Sequence, residues 1–189
     1  MDFLGQNNVI DTYLLGFGSV GQHVVKLMVQ KGRKRPLLNI VGISDSTGGV
    51  TCQEGLPLED ILKWKLDGRG ICDFNGQGVS HHESTLKMIK NAKPGNILFD
   101  GTPVDLDTGG IGLQSCRYAL SRGIHVVLAN KAPLLMSYQE LVNMANTEPV
   151  CLLKFSATVC GGLPVVNVGQ RDFSCAQLES VEGIFNSTS

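Results

Sequence analysis

Gly16-Phe17-Gly18-Ser19-Val20-Gly21 is the stretch on which the reading of this chain turns. It has the pattern G-x-G-x-x-G, and because glycine-rich hexamers also arise by chance, its neighbours carry the weight. Upstream, Tyr13-Leu14-Leu15 is a short apolar run that predicts a buried strand ending at Gly16. Downstream, Val20, Val24, Leu27 and Met28 recur at helical spacing over 19–31. The basic stretch at 31–35, closed by Pro36, predicts the end of that helix in solvent, and 37–43 reads as a second buried strand. Strand, turn, helix, loop and strand within about 30 residues form a βαβ unit with a right-handed crossover.

In that setting each glycine has a use. Gly16 allows the tight turn, Gly18 lets the main chain approach a pyrophosphate, and Gly21 lets helix and strand pack closely. The main-chain N–H groups along the turn, those of Phe17, Ser19 and Val20 included, then hold the anion with the help of the helix dipole. The competing reading is an ordinary strand-to-helix turn with no ligand.

The alternation continues along the chain. Helices are expected at 57–66, 83–91, 111–121 and 137–147, the last opening with Ser137 and Glu140 in a capping-box pattern. Strands are expected at 96–100, 124–129 and 150–155, with polar loops elsewhere. The fold class is therefore α/β, a Rossmann-type doubly wound, mostly parallel sheet covered on both faces. After about residue 160 the pattern changes: a helix is expected from Gly161-Gly162-Leu163-Pro164 to Gln170, then an alternating strand over 177–185. That strand predicts a second, α+β domain begun but not completed, with residues 1–155 as the nucleotide-binding domain and 156–189 as the start of the other.

Composition narrows the function classes. The 189 residues are 42% apolar and 17% charged, which supports a packed core and excludes a disordered tail. Sixteen basic against seventeen acidic residues leave a net charge of −1, without the basic excess that nucleic-acid binding calls for. No apolar run is long enough to span a bilayer, and Met1-Asp2-Phe3-Leu4-Gly5 does not resemble a signal or transit peptide. Six scattered cysteines without a C-x-x-C pair read as reduced thiols of a cytoplasmic protein.

Ligands of open α/β sheets bind beyond the carboxyl ends of the strands, so residues there are candidates. Asp45 stands where a carboxylate bonds the ribose hydroxyls of NAD, although Ser-Asp-Ser-Thr-Gly-Gly is also turn chemistry. A carboxylate disfavours the extra phosphate of NADP, whereas Ser44, Ser46 and Thr47 can donate to it, so both cofactors stay open. Asp100-Gly101-Thr102-Pro103 and Ala129-Asn130-Lys131-Ala132-Pro133 follow two later strands, and Lys131 is a candidate to orient a carbonyl or move a proton. His81-His82-Glu83 lacks a third metal ligand and reads as solvated loop. Cys160 reads as a small buried side chain and Trp64 as packing, while the Asp105/Asp107 pair reads as turn chemistry and is kept as a weaker site candidate.

Five segments together resemble the homoserine dehydrogenases in order and spacing: 16–21, Asp100-Gly101-Thr102, His125-Val126-Val127-Leu128-Ala129-Asn130-Lys131, Ser156-Ala157-Thr158-Val159-Cys160-Gly161-Gly162-Leu163-Pro164, and Glu182-Gly183-Ile184-Phe185-Asn186-Ser187-Thr188. The resemblance spans nearly the whole chain. It implies NAD(P)-dependent interconversion of L-aspartate 4-semialdehyde and L-homoserine, in threonine, methionine and isoleucine biosynthesis. It also implies that Gly16, Gly18 and Gly21 hold the pyrophosphate, that Thr102 and Asn130 lie on the nicotinamide side, and that Lys131 is in the active site. A monovalent cation such as sodium would be held by the main-chain carbonyls of Ser156, Val159, Gly161 and Leu163; the competing reading is a plain Gly-Pro turn. Two departures stand out. Ser156 replaces the family's usual Glu, and the family's further substrate-binding Asp, second Lys and dimer-forming part lie beyond this sequence. The expectation is weak or absent turnover in this short form. The alternatives are a non-catalytic dinucleotide-binding or partner-binding module, or another Rossmann dehydrogenase of a small amino-acid-derived substrate.

Overall fold

The computed structural model describes residues 9–31, 37–82 and 84–185. The expected basic loop at 32–36, Glu83 and the Asn186-Ser187-Thr188 end of the last segment lie outside the described residues. In chain order the elements are β1 (Val9–Leu15), α1 (Ser19–Lys31), β2 (Leu37–Asp45), β3 (Gly48–Thr51), α2 (Leu58–Leu66), β4 (Ser80–His82), α3 (Thr85–Ile89), β5 (Ile97–Asp100), α4 (Gly110–Leu120), β6 (His125–Leu128), α5 (Ala132–Asn146), β7 (Leu153–Lys154) and α6 (Val165–Asn167). One seven-stranded sheet runs in the order β4-β3-β2-β1-β5-β6-β7. Strands β2, β1, β5, β6 and β7 are parallel, as expected. Strands β3 and β4 pair antiparallel at the edge, where the sequence reading expected only loops. Their glycines and histidines lack the apolar run that marks a strand, and pairing with β2 makes them strands.

The continuous apolar run of β1 follows from burial on both faces. Tyr13 and Leu15 join one core with Met88 of α3, Cys116 and Leu120 of α4 and Leu141 of α5. Leu14, pointing the other way, joins a second core with Val25 of α1 and Ile61 of α2.

Five expectations are changed by packing. On α1 the fully buried residues are Gly21 and Val25; Val24 and Met28 of the expected stripe pack against the second core, whereas Val20 and Leu27 are exposed. The last core helix begins at Ala132, and Ser137 is a break within it (φ −151°, ψ 34°). Arg117 of α4 holds that break, bonding Ser137 Oγ at 3.1 Å and Glu140 through both carboxylate oxygens at 2.7 Å. The strand expected at 150–155 is cut to Leu153–Lys154; beside it Leu152 donates its N–H to His125 Nδ1 at 3.0 Å. The strand expected at 177–185 does not form. Its backbone finds no neighbouring strand among the described residues, and Leu178, Val181, Ile184 and Phe185 are exposed. Alternation alone cannot make a strand without a hydrogen-bonding partner. The helix expected to Gln170 consists of α6 followed by a π-helical turn at Val168–Asp172.

Candidate dinucleotide-binding site

The chain steps from β1 outward to β2, then returns to β5 on the other side of β1. The crevice beyond the carboxyl ends of β1 and β5 is therefore the topological switch point, where such sheets bind ligands. The glycine turn forms one wall. Gly16 has φ +83°, and a Cβ there would lie 2.5 Å from the Thr102 nitrogen. A Cβ on Gly21 would lie 2.5 Å from the Gly16 oxygen and 2.9 Å from Leu14 Cδ2. Both glycines are thus required by the fold. Gly18 is different: a Cβ there would meet nothing within 4 Å.

The amides along the turn divide the same way. Gly16 and Phe17 donate their N–H groups to the Ser44 carbonyl at 3.0 and 2.9 Å, and the Phe17 ring is fully buried in the core. Phe17 therefore serves packing, with no amide left for a ligand. The N–H groups of Gly18, Ser19 and Val20 have no protein acceptor among the described residues, and all three residues are exposed. They open a 13-residue helix whose dipole places partial positive charge at this point.

At the end of β2, Asp45 is more engaged than the sequence reading expected. Its Oδ1 accepts from the Thr47 N–H at 2.8 Å and from the Thr47 hydroxyl, and its Oδ2 accepts from Lys65 Nζ and, at 3.2 Å, from the Ile71 N–H. Burial pulls its carboxyl upward, but the bonds from Lys65 and Thr47 outweigh burial and hold it below the ordinary value. The turn role is real, and a salt bridge from α2 is added to it. Ser46 beside it is exposed. No spacing rule links positions 45 and 65, so Lys65 was not legible in the sequence.

The other wall carries a buried polar chain. Thr102 donates its N–H and hydroxyl to Asp100 Oδ1 at 2.9 and 2.6 Å. Asn130 donates from Nδ2 to Thr102 Oγ1 at 3.0 Å, and its Oδ1 accepts from the Ala132 N–H at 3.0 Å. Asp100 and Asn130 are almost fully enclosed, while the next residue, Lys131, is exposed at the start of α5. The structure thus brings Gly18, Thr102 and the Asn130–Lys131 pair to the carboxyl ends of three strands.

Ser156–Thr158 forms a single 3₁₀ turn after β7, followed by Cys160 (φ 55°) and Gly161 (φ 57°), both left-handed. The Ser156 hydroxyl bonds Asn167 Oδ1 at 2.9 Å, and its carbonyl accepts a long bond from the Val159 N–H at 3.4 Å. Val159 is half-buried, whereas Gly161 and Leu163 are exposed.

The residues set aside behave as packing or turn residues. Trp64 stacks edge-on against Phe74 and donates to the Gly70 carbonyl at 2.9 Å. Asp105 accepts from the N–H groups of Asp107 and Thr108 at 2.9 and 3.0 Å, closing a turn. Cys160 is buried. Among the described residues no group of three or more His, Cys, Asp or Glu side chains is placed to hold a metal, and no helix is long and apolar enough to cross a membrane. An open groove between α1 and α2, lined by Leu27, Leu38, Leu58 and Phe74, lies at the amino end of β2, away from this crevice.

Residues 7–108 match the family described as Glutamate/Leucine/Phenylalanine/Valine dehydrogenase. The homoserine dehydrogenase of Methanocaldococcus jannaschii is 27% identical over 183 residues, covering 95% of this chain and 53% of that protein. The NAD(+)-dependent homoserine dehydrogenase of Pseudomonas canavaninivorans is 28% identical, covering 93% and 51%. A hyperthermophilic archaeal homoserine dehydrogenase solved in complex with NADPH superposes with a TM-score of 0.72 at 26% identity, covering 85% of this chain and 48% of that one. The chain spans about half the length of the curated relatives it matches.

Proposed function

We infer that this chain, which belongs to the Glutamate/Leucine/Phenylalanine/Valine dehydrogenase family, is the NAD(P)-binding part of an oxidoreductase of the homoserine dehydrogenase type. The reaction is the interconversion of L-aspartate 4-semialdehyde and L-homoserine. One observation carries the reading. At the switch point of the sheet, Gly18 keeps open a space that the fold does not need, directly beside the unpaired N–H groups of Gly18, Ser19 and Val20. An anion the size of a pyrophosphate fits that chemistry.

The remaining roles follow from position. Asp45 and Ser46, at the end of β2, face the adenosine ribose, with Lys65 offsetting the carboxylate so that either NAD or NADP is accepted. Thr102, Asn130 and Lys131 serve the nicotinamide end. When bound, NAD(P)H supplies the hydride for the aldehyde carbon. Lys131 orients the carbonyl and holds a proton on Nζ for its oxygen. The carbonyls of Ser156, Val159, Gly161 and Leu163 are proposed to hold a monovalent cation. Residues 1–155 form the nucleotide-binding unit and 156–189 the start of the substrate-binding one. The six cysteines, all unpaired, support a reducing cytoplasmic setting.

The test is titration of the purified chain with NADH and NADPH, followed by a turnover assay with homoserine. Saturable binding of either nucleotide, lost on substitution at Gly18, is the expected result. Binding without turnover selects a non-catalytic dinucleotide-binding module, and no binding to either nucleotide overturns the reading.

A further inference from the structure

The carboxyl ends of β1, β5 and β6 meet around a side chain to which the roles above give nothing to do. Asp100, the last residue of β5, is fully enclosed. Its Oδ1 takes both Thr102 bonds, its main-chain carbonyl accepts from the N–H groups of Ala129 and Asn130 at 2.8 and 3.2 Å, and its Oδ2 has no partner among the described residues. The loop it holds touches the glycine turn directly: Gly101 donates its N–H to the Leu15 carbonyl at 2.8 Å, and Thr102 occupies the space a Gly16 side chain would need. From Thr102 the chain of bonds runs through Asn130 to the Ala132 N–H, the entrance of the helix that presents Lys131.

Such an arrangement is a poor way to fill a core. A buried carboxyl oxygen left unpaired costs about 1–3 kcal/mol, and an apolar pair of the same shape would avoid that. The neighbouring helix has also been kept bare to accommodate it. A Cβ on Gly112 of α4 would lie 2.5 Å from Asn130 Nδ2, 2.6 Å from Asp100 Oδ2 and 3.0 Å from Thr102 Oγ1. Burial pushes the Asp100 carboxyl above its ordinary value, against the two bonds from Thr102.

We propose that Asp100 is a positioning residue for the nicotinamide end of the cofactor: it orients the Thr102 main chain and hydroxyl and, through them, the Asn130 amide at the meeting point of β1, β5 and β6. The proposal rests on the cofactor reading above. It locates the effect at one end of the dinucleotide, since the pyrophosphate amides belong to a different loop.

That division supplies the test. NADH and ADP-ribose share the pyrophosphate and the adenosine, and only NADH has the nicotinamide. Their dissociation constants are measured for the full chain and for Asp100→Ala, Asp100→Asn and Thr102→Val. Losing one buried charge-assisted bond predicts about a tenfold or greater weakening of NADH in Asp100→Ala, with ADP-ribose changed by less than about twofold. Asp100→Asn keeps the shape and an acceptor oxygen and restores most NADH affinity. Thr102→Val keeps Asp100 in place but removes the hydroxyl that bonds its Oδ1 and accepts from Asn130, and it reproduces the split if Asp100→Ala does not fold. Equal weakening of both ligands, or of neither, overturns the proposal. Failure of the unaltered chain to bind either ligand removes the cofactor reading itself.

Discussion

Two alanine substitutions two residues apart in the glycine turn should have opposite consequences. At Gly16 a Cβ would lie 2.5 Å from the Gly101 carbonyl carbon and the Thr102 nitrogen, far inside van der Waals contact, and the residue has φ +83°. The left-handed backbone costs about 1–2 kcal/mol, and displacing packed atoms costs about 1–3 kcal/mol more. The sum, about 2–5 kcal/mol, lowers Tm by roughly 4–20 °C in a domain of this size. At Gly18 the new methyl meets no protein atom and φ is not left-handed. Gly18→Ala should therefore leave Tm unchanged or raise stability by about 0.4–1 kcal/mol, through a stiffer unfolded chain. The same methyl occupies the space beside the free amides. Loss of two charge-assisted bonds at about 1.5–3 kcal/mol each weakens NADPH binding by roughly 10²–10⁴-fold. Differential scanning fluorimetry and fluorescence titration read the two effects separately. Native NADPH affinity in a folded Gly18→Ala chain would refute the assignment of this turn to a phosphate.

Three further outcomes follow from the charged groups. Asp45 has a folded value below its unfolded one of about 3.9, so its stabilisation is complete above that pH and is lost as the pH falls through the folded value. Asp45→Asn should thus lose about 1–3 kcal/mol in urea unfolding at pH 7, with the gap to the parent closing in acid; a gap independent of pH contradicts the ion pair. Asp100 has the opposite sign. Its folded value is raised, so the parent loses stability as the pH climbs from about 4, and Asp100→Asn should gain on it over that range; parallel stability–pH curves would count against a buried acid. Lys65→Ala leaves Asp45 uncompensated at the proposed ribose end, so NADPH affinity should fall about tenfold relative to NADH, and an unchanged NADPH/NADH ratio argues that this pair lies away from the 2′-phosphate.

Much of the architecture is local and can be read one segment at a time. A three-residue apolar run at 13–15, a turn with glycines two and three residues apart, and a helix closed before Pro36 specify a βαβ unit because strand burial, left-handed turns and helix periodicity are short-range properties. The same holds for the strand end at Asp100 and for Asn130 just beyond the end of β6. Contacts between distant positions are not local. Phe17 and Gly18 are neighbours in one motif, yet one is sealed in the core and the other faces open space, and this depends on how α1 and β2 pack around the turn. Asp45 finds Lys65 on a separate helix, and Asp100, Thr102 and Asn130 meet because two parallel strands end side by side. The alternating segment at 177–185 makes the same point in reverse, since a strand exists only where another backbone answers its N–H and C=O groups. Residue order along this chain specifies the elements and marks the turn proposed to receive an anion; the surroundings of each polar group, and with them its charge state, come from segments that sequence separation keeps apart and folding brings into contact.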